Sequence, residues 1–149
     1  MNRAQAFGRA YWVARQNALS AISYDIYRVP PGGVSLEDVT LRDFRHYSPA
    51  AALPTDAHFY ASFGHLAGYS SAYYTYLWDK VIAEDFFDQF DPVDPRAGDT
   101  PMRYRRAVLE PGGSMSANDL VRHFLGRPQD MRAFEKWLGE EFAAPAAGH

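Results

Sequence analysis

Between Tyr69 and Phe90 the chain carries its strongest helical pattern, with apolar residues on more than one face. Tyr73, Tyr74, Leu77, Trp78, Val81, Ile82, Phe86 and Phe87 cover most of the surface, while Ser71, Thr75 and Asp79 form a polar stripe at four-residue spacing. Such a helix has to be enclosed, because its apolar faces are unfavourable in water. A chain of 149 residues can barely enclose it, so the pattern predicts a helical body that associates or belongs to something larger. Asp91-Pro92 and the stretch from Pro95 to Gly98 end the helix.

The remaining pattern is also helical. From Ala4 to Arg28, Phe7, Tyr11, Ala14, Ala18, Ile22 and Ile26 recur at helical spacing, with Arg15 and Gln16 among the polar positions between them. Pro30, Pro31, Gly32 and Gly33 stop this helix, and Ser35-Leu36-Glu37-Asp38 reads as a capping box for a second helix to about Tyr47, with Leu36, Val39, Leu41 and Phe44 on its apolar side. Residues 48 to 57 read as a loop leading into His58-Phe59-Tyr60. Further helices are predicted over Pro101 to Leu109, from the capping box Ser116-Ala117-Asn118-Asp119 to about Gly126, and from a first turn holding Pro128, with Met131, Phe134, Trp137 and Leu138 on one face. The Ala-Pro-Ala-Ala-Gly-His tail reads as frayed. The fold class expected is therefore all-α, with residues 1–149 as a single domain.

Composition narrows the function classes. A formal charge of −3 with scattered basic residues offers no footprint for nucleic acid. The absence of cysteine removes disulfides, thiolate zinc sites and cysteine nucleophiles together. No run approaches the ~20 apolar residues of a membrane span, and Arg9, Arg15 and Gln16 break any signal-like segment, so a cytoplasmic protein without membrane contact is expected. None of His46, His58, His65, His123 and His149 is followed by Glu or paired at four-residue spacing, and no metal ligand is assigned. The serines sit at helix starts, where their hydroxyls have a local use, and Gly112-Gly113 lacks the lysine of a phosphate loop. The chain thus carries no complete hydrolytic centre of its own.

What remains is His65 followed by Tyr69, Tyr73 and Tyr76. On a helix these offsets place the tyrosines in one narrow stripe, away from Ser71, Thr75 and Asp79. Phenols stay protonated at neutral pH and can donate to a carbonyl or a developing oxyanion, and Gly68 lets backbone approach a ligand. The alternative from pattern alone is a tyrosine-rich buried helix that satisfies its hydroxyls internally.

Phe63-Gly64-His65-Leu66-Ala67-Gly68-Tyr69 followed by Tyr73-Tyr74-Thr75-Tyr76-Leu77-Trp78 resembles the C-terminal part of the catalytic domain in the thimet oligopeptidase, neurolysin and oligopeptidase A family of zinc peptidases. A second block agrees in order: Tyr104-Arg105, Val108-Leu109, Pro111-Gly112-Gly113-Ser114 and Phe124-Leu125-Gly126-Arg127. Arg15-Gln16 before an apolar run resembles the helix preceding that region. The resemblance implies a mostly helical fold around a channel for short peptides. It also implies a zinc held by a His-Glu-x-x-His helix and a later Glu, all upstream of the part represented here. By the same resemblance His65, Tyr69 and Tyr76 are catalytic, with His65 facing the substrate, and Tyr73 and Gly68 bind it. Many members have two glycines before the first tyrosine; here only Gly68 stands there.

Three readings follow. The chain is the substrate-binding portion of a metallo-oligopeptidase whose zinc is supplied by a partner chain, or a non-catalytic peptide-binding domain, or a truncated remnant. Each expects no metal on this chain, short peptides as ligands in the first two, and self-association or a heteromeric partner covering the apolar surface.

Overall fold

The computed structural model describes residues 6–51 and 53–142, and among these the structure is mostly helical with no strand. The chain divides into two compact units, Met1–Trp78 and Asp79–His149, each with its own core.

In the first unit, helix α1 spans Arg9–Tyr27 and is entered through Gly8, whose φ of 83° suits glycine and interrupts the helix expected from Ala4. Ala4 itself lies outside the described residues. Phe7 and Tyr11, expected on the apolar face, are exposed, whereas Ala18, Leu19 and Ile22 are buried together with Gln16 and Ser23. Helix α2, Leu36–Tyr47, begins as expected: the Ser35 side chain accepts a hydrogen bond from the Asp38 backbone N–H at 3.2 Å. Its buried face is Val39, Thr40, Asp43 and Phe44, so the helix is turned away from Leu36, which is exposed. Thr40 can face the core because its hydroxyl donates to the Leu36 carbonyl at 2.7 Å. Asp25 on α1 pairs with Arg28 and with Arg42 on α2. Pro49–Ala51 forms one 3₁₀ turn, and short helices α3, Phe59–Ser62, and α4, His65–Tyr69, follow. The core joins Ala18, Leu19 and Ile22 of α1 with Phe44, Phe63 and Tyr73, and Phe59 meets Phe44 edge-on at 5.2 Å.

The expected continuous helix from Tyr69 to Phe90 is broken at its start. Helix α4 ends at Tyr69, Ser70 adopts φ 50° and ψ −120°, Ala72–Tyr74 forms a 3₁₀ turn, and α5 spans Thr75–Phe87. The polar stripe predicted for one helix is therefore divided: Ser71 precedes the 3₁₀ turn, and the Thr75 hydroxyl donates to the Ala72 carbonyl at 2.9 Å.

The second unit is built on α5 from Asp79 onward. Asp91 closes the segment after it, its carboxylate accepting from the backbone N–H groups of Val93 and Asp94 at 2.7 and 3.0 Å. Helix α6, Thr100–Tyr104, continues as a π-helical turn over Arg105–Leu109. Helix α7, Ala117–Leu125, starts at a Ser116 cap on the Asp119 N–H and stops at Gly126, where φ is 71°. Helix α8 spans Arg132–Gly139, so it starts after Pro128 rather than at it. In the segment ahead of it, Asp85, buried on α5, accepts from the Arg127 guanidinium and from the Asp130 backbone N–H. Phe86, Ala107, Val121 and Phe124 form the core, bordered by Phe90 and Tyr104. The tail residues Ala144 to His149 lie outside the described residues.

Candidate active site

His65 opens α4 directly after the Phe63-Gly64 bend, and its imidazole is ringed by aromatic side chains. Ring centroids lie at 5.4 Å to Phe63, 5.7 Å to Tyr69, 5.0 Å to Tyr73 and 5.6 Å to Tyr76, the contacts to Tyr73 and Tyr76 being edge-on. Tyr73 and Tyr76 are 4.8 Å apart, and Tyr69 and Tyr76 6.2 Å. The four residues expected from sequence to act together are thus brought together, by a turn rather than by one helical stripe.

Their environments differ. Tyr73 is buried against Phe63, and burial raises its phenol above the ordinary value, with the charge of Arg15 acting the other way. Tyr69 and Tyr76 are exposed. The Tyr76 phenol is also raised, first by the neighbouring Tyr69 hydroxyl, so it is a neutral donor at physiological pH. An added Cβ at Gly68 would meet no atom of the chain within 4 Å, so this backbone borders open space.

The helix behind the cluster supplies parts that the sequence pattern did not single out. Ser23 Oγ donates to the Ser70 carbonyl and Tyr27 Oη to the Leu66 carbonyl, each at 2.5 Å. A serine next to Ile22 within a buried helical stripe was the available signal. In the second unit Asp85 was missed for a similar reason: an acid flanked by Phe86 in an apolar helix signals a buried partner, and Arg127 is that partner.

His46 packs on Tyr47 at 4.5 Å and His58 on Tyr60 at 5.8 Å. Among the described residues no group of three or more His, Asp or Glu side chains could hold a metal ion. The described residues do not fit the metal that the resemblance implies for the whole enzyme.

A model of peptidase family M3 matches residues 1–140. The chain belongs to this family. The M3 chain is similar to oligopeptidase A of Escherichia coli, with 27% identity over 144 residues that cover 93% of this chain and 21% of that protein. Saccharolysin of Saccharomyces cerevisiae is 42% identical over 82 residues, 54% of this chain and 12% of that one. The mitochondrial intermediate peptidase of Schizosaccharomyces pombe is 34% identical over 98 residues, 66% and 13% respectively. The chain therefore spans about a fifth or less of these relatives. Family M3 is a peptidase family that is zinc-dependent in general. Among the described residues no helix is long and apolar enough to cross a membrane.

Proposed function

We propose that this M3 chain is the substrate-binding portion of a zinc oligopeptidase, in which Tyr69, Tyr73, Tyr76 and His65 bind a short peptide and stabilise the tetrahedral intermediate. The observation that carries this reading is the packing of three tyrosine rings round one imidazole, with two of the three tyrosines exposed. A packing role would call for buried tyrosines, but Tyr69 and Tyr76 are exposed, beside a glycine backbone that borders open space.

The chemistry follows from where charge grows. As water adds to a scissile carbonyl, its oxygen becomes negative, and a fixed neutral donor gains more from that oxyanion than from the ground-state carbonyl. His65 and Tyr73 form the wall that fixes the two phenols, with Gly68 admitting the peptide backbone. The zinc and its catalytic Glu come from a segment outside residues 1–149, and we place the assembled enzyme in the cytoplasm.

Complementation tests the reading. The chain is mixed with a polypeptide carrying the His-Glu-x-x-His helix of an M3 enzyme, and hydrolysis of a quenched fluorescent peptide is followed. Hydrolysis that requires both chains supports it. Calorimetric peptide binding without hydrolysis would make the chain a binding module, and absence of both would leave the tyrosines as packing.

A further inference from the structure

The residues of the candidate site lie too far apart along the chain for a single helix to unite them. At 1.5 Å per residue, His65 and Tyr73 would stand about 12 Å apart along one axis, and His65 and Tyr76 about 16 Å. Their ring centroids are 5.0 and 5.6 Å apart. The difference is made by the reversal at Ser70 and Ser71, whose angles of 50°, −120° and −85°, 5° are those of the central residues of a type II′ turn. The first of these positions belongs to glycine by preference, and Ser70 is the one non-glycine residue with positive φ among the described residues. A serine stays there only when its surroundings over-determine the conformation.

The over-determining contact comes from α1. Ser23 and Tyr27, one turn apart on that helix, donate to the carbonyls of Ser70 and Leu66, which are also four residues apart. Ser23 is 1% exposed, so its hydroxyl has no competing water, and its acceptor is the turn residue itself. Tyr27 fixes the preceding helix α4 in the same way.

From this geometry we infer that Ser23 is a positioning residue for the peptide site: by holding the Ser70 carbonyl it maintains the turn that folds Tyr73 and Tyr76 back onto His65. Its effect on turnover rests on the proposed role of those tyrosines. Its effect on geometry does not.

The test uses the full chain with Ser23→Ala and Ser23→Thr, the latter keeping the hydroxyl. In a proton–carbon correlation spectrum, ring currents from the three tyrosines displace the His65 Cε1–H resonance. Ser23→Ala should move it toward the position of a solvated imidazole with helical circular dichroism retained, and Ser23→Thr should restore it. In the complemented enzyme kcat should fall roughly tenfold or more, since small misplacements of positioned groups act strongly on turnover. An unmoved His65 resonance in folded Ser23→Ala overturns the inference. If Ser23→Ala does not fold, the same resonance is read in Ser23→Cys, whose thiol is only a weak donor: a displaced resonance supports the inference and an unmoved one overturns it. A displaced resonance with unchanged kcat supports the positioning of the turn and refutes the role of the tyrosines, so the two failures are distinct.

Discussion

Replacing Arg127 by leucine removes the partner of the most completely buried charge in the second unit. Asp85 is 2% exposed and accepts from Arg127 Nη2 at 2.6 Å, Arg127 Nη1 at 2.9 Å and the Asp130 backbone N–H at 3.0 Å. The variant deletes two charge-assisted bonds and leaves a buried carboxylate with one donor. Breaking a buried ion pair from one side costs about 3–5 kcal/mol, and because the Arg127 side chain is 36% exposed the lower end, about 3 kcal/mol, applies. A unit of roughly 70 residues has about 4–10 kcal/mol of stability, so the loss is a large part of it. Urea unfolding followed by the emission of Trp137, which lies in this unit, with Trp12 and Trp78 replaced by phenylalanine in parent and variant alike, should show a midpoint displaced accordingly at unchanged slope. Adding Asp85→Leu should recover most of the loss, since a buried pair replaced on both sides is close to neutral. A loss under about 1 kcal/mol for Arg127→Leu would refute the account of how residues 127–130 are held.

Asp130 is held down to about 2, first by the Arg132 guanidinium and then by the Arg132 backbone N–H. Its folded value lies below the ordinary 3.8, so its contribution to stability is complete above that pH and is lost as pH falls toward 2, which a carboxyl-carbon NMR titration with a midpoint near 2 would check. Ser70→Gly should stabilise the first unit by roughly 1 kcal/mol in thermal unfolding, the released turn strain exceeding the added freedom of the unfolded chain. Elemental analysis of the dialysed chain should find far less than one zinc per molecule; a stoichiometric, chelator-resistant zinc would overturn the assignment of the metal to another segment.

Much of the fold was legible because it depends on local rules. The caps at Ser35 and Ser116 and the stop at Gly126 are short-range hydrogen-bond and backbone effects that four residues can specify. The misread parts depend on contacts distant in sequence. On α2 the expected Val39 and Phe44 are buried, but Thr40 and Asp43 join them, and Arg42, which pairs with Asp43, also reaches Asp25 on α1. Ahead of α8, Arg127 is held by Asp85, 42 residues away. At the site, the membership of the cluster came from the motif, but its geometry did not. Apolar periodicity runs through Ser70 unbroken, and the hydroxyl that bonds the turn's carbonyl belongs to Ser23, 47 residues upstream.

The peptide-binding role of the tyrosines rests on a proton donor, and Tyr76→Phe removes one hydroxyl while keeping the ring that packs 4.8 Å from Tyr73 and 5.6 Å from His65. In the complemented, zinc-bearing enzyme, kcat and KM are compared for the parent, Tyr76→Phe and the exposed control Tyr74→Phe. A donor that acts on the developing oxyanion is worth ~3 kcal/mol, so kcat for Tyr76→Phe should fall roughly a hundredfold with little change in KM, while Tyr74→Phe stays at the parent rate. A folded Tyr76→Phe variant whose kcat remains within about twofold of the parent contradicts the proposed function and makes the cluster at His65 a packing feature.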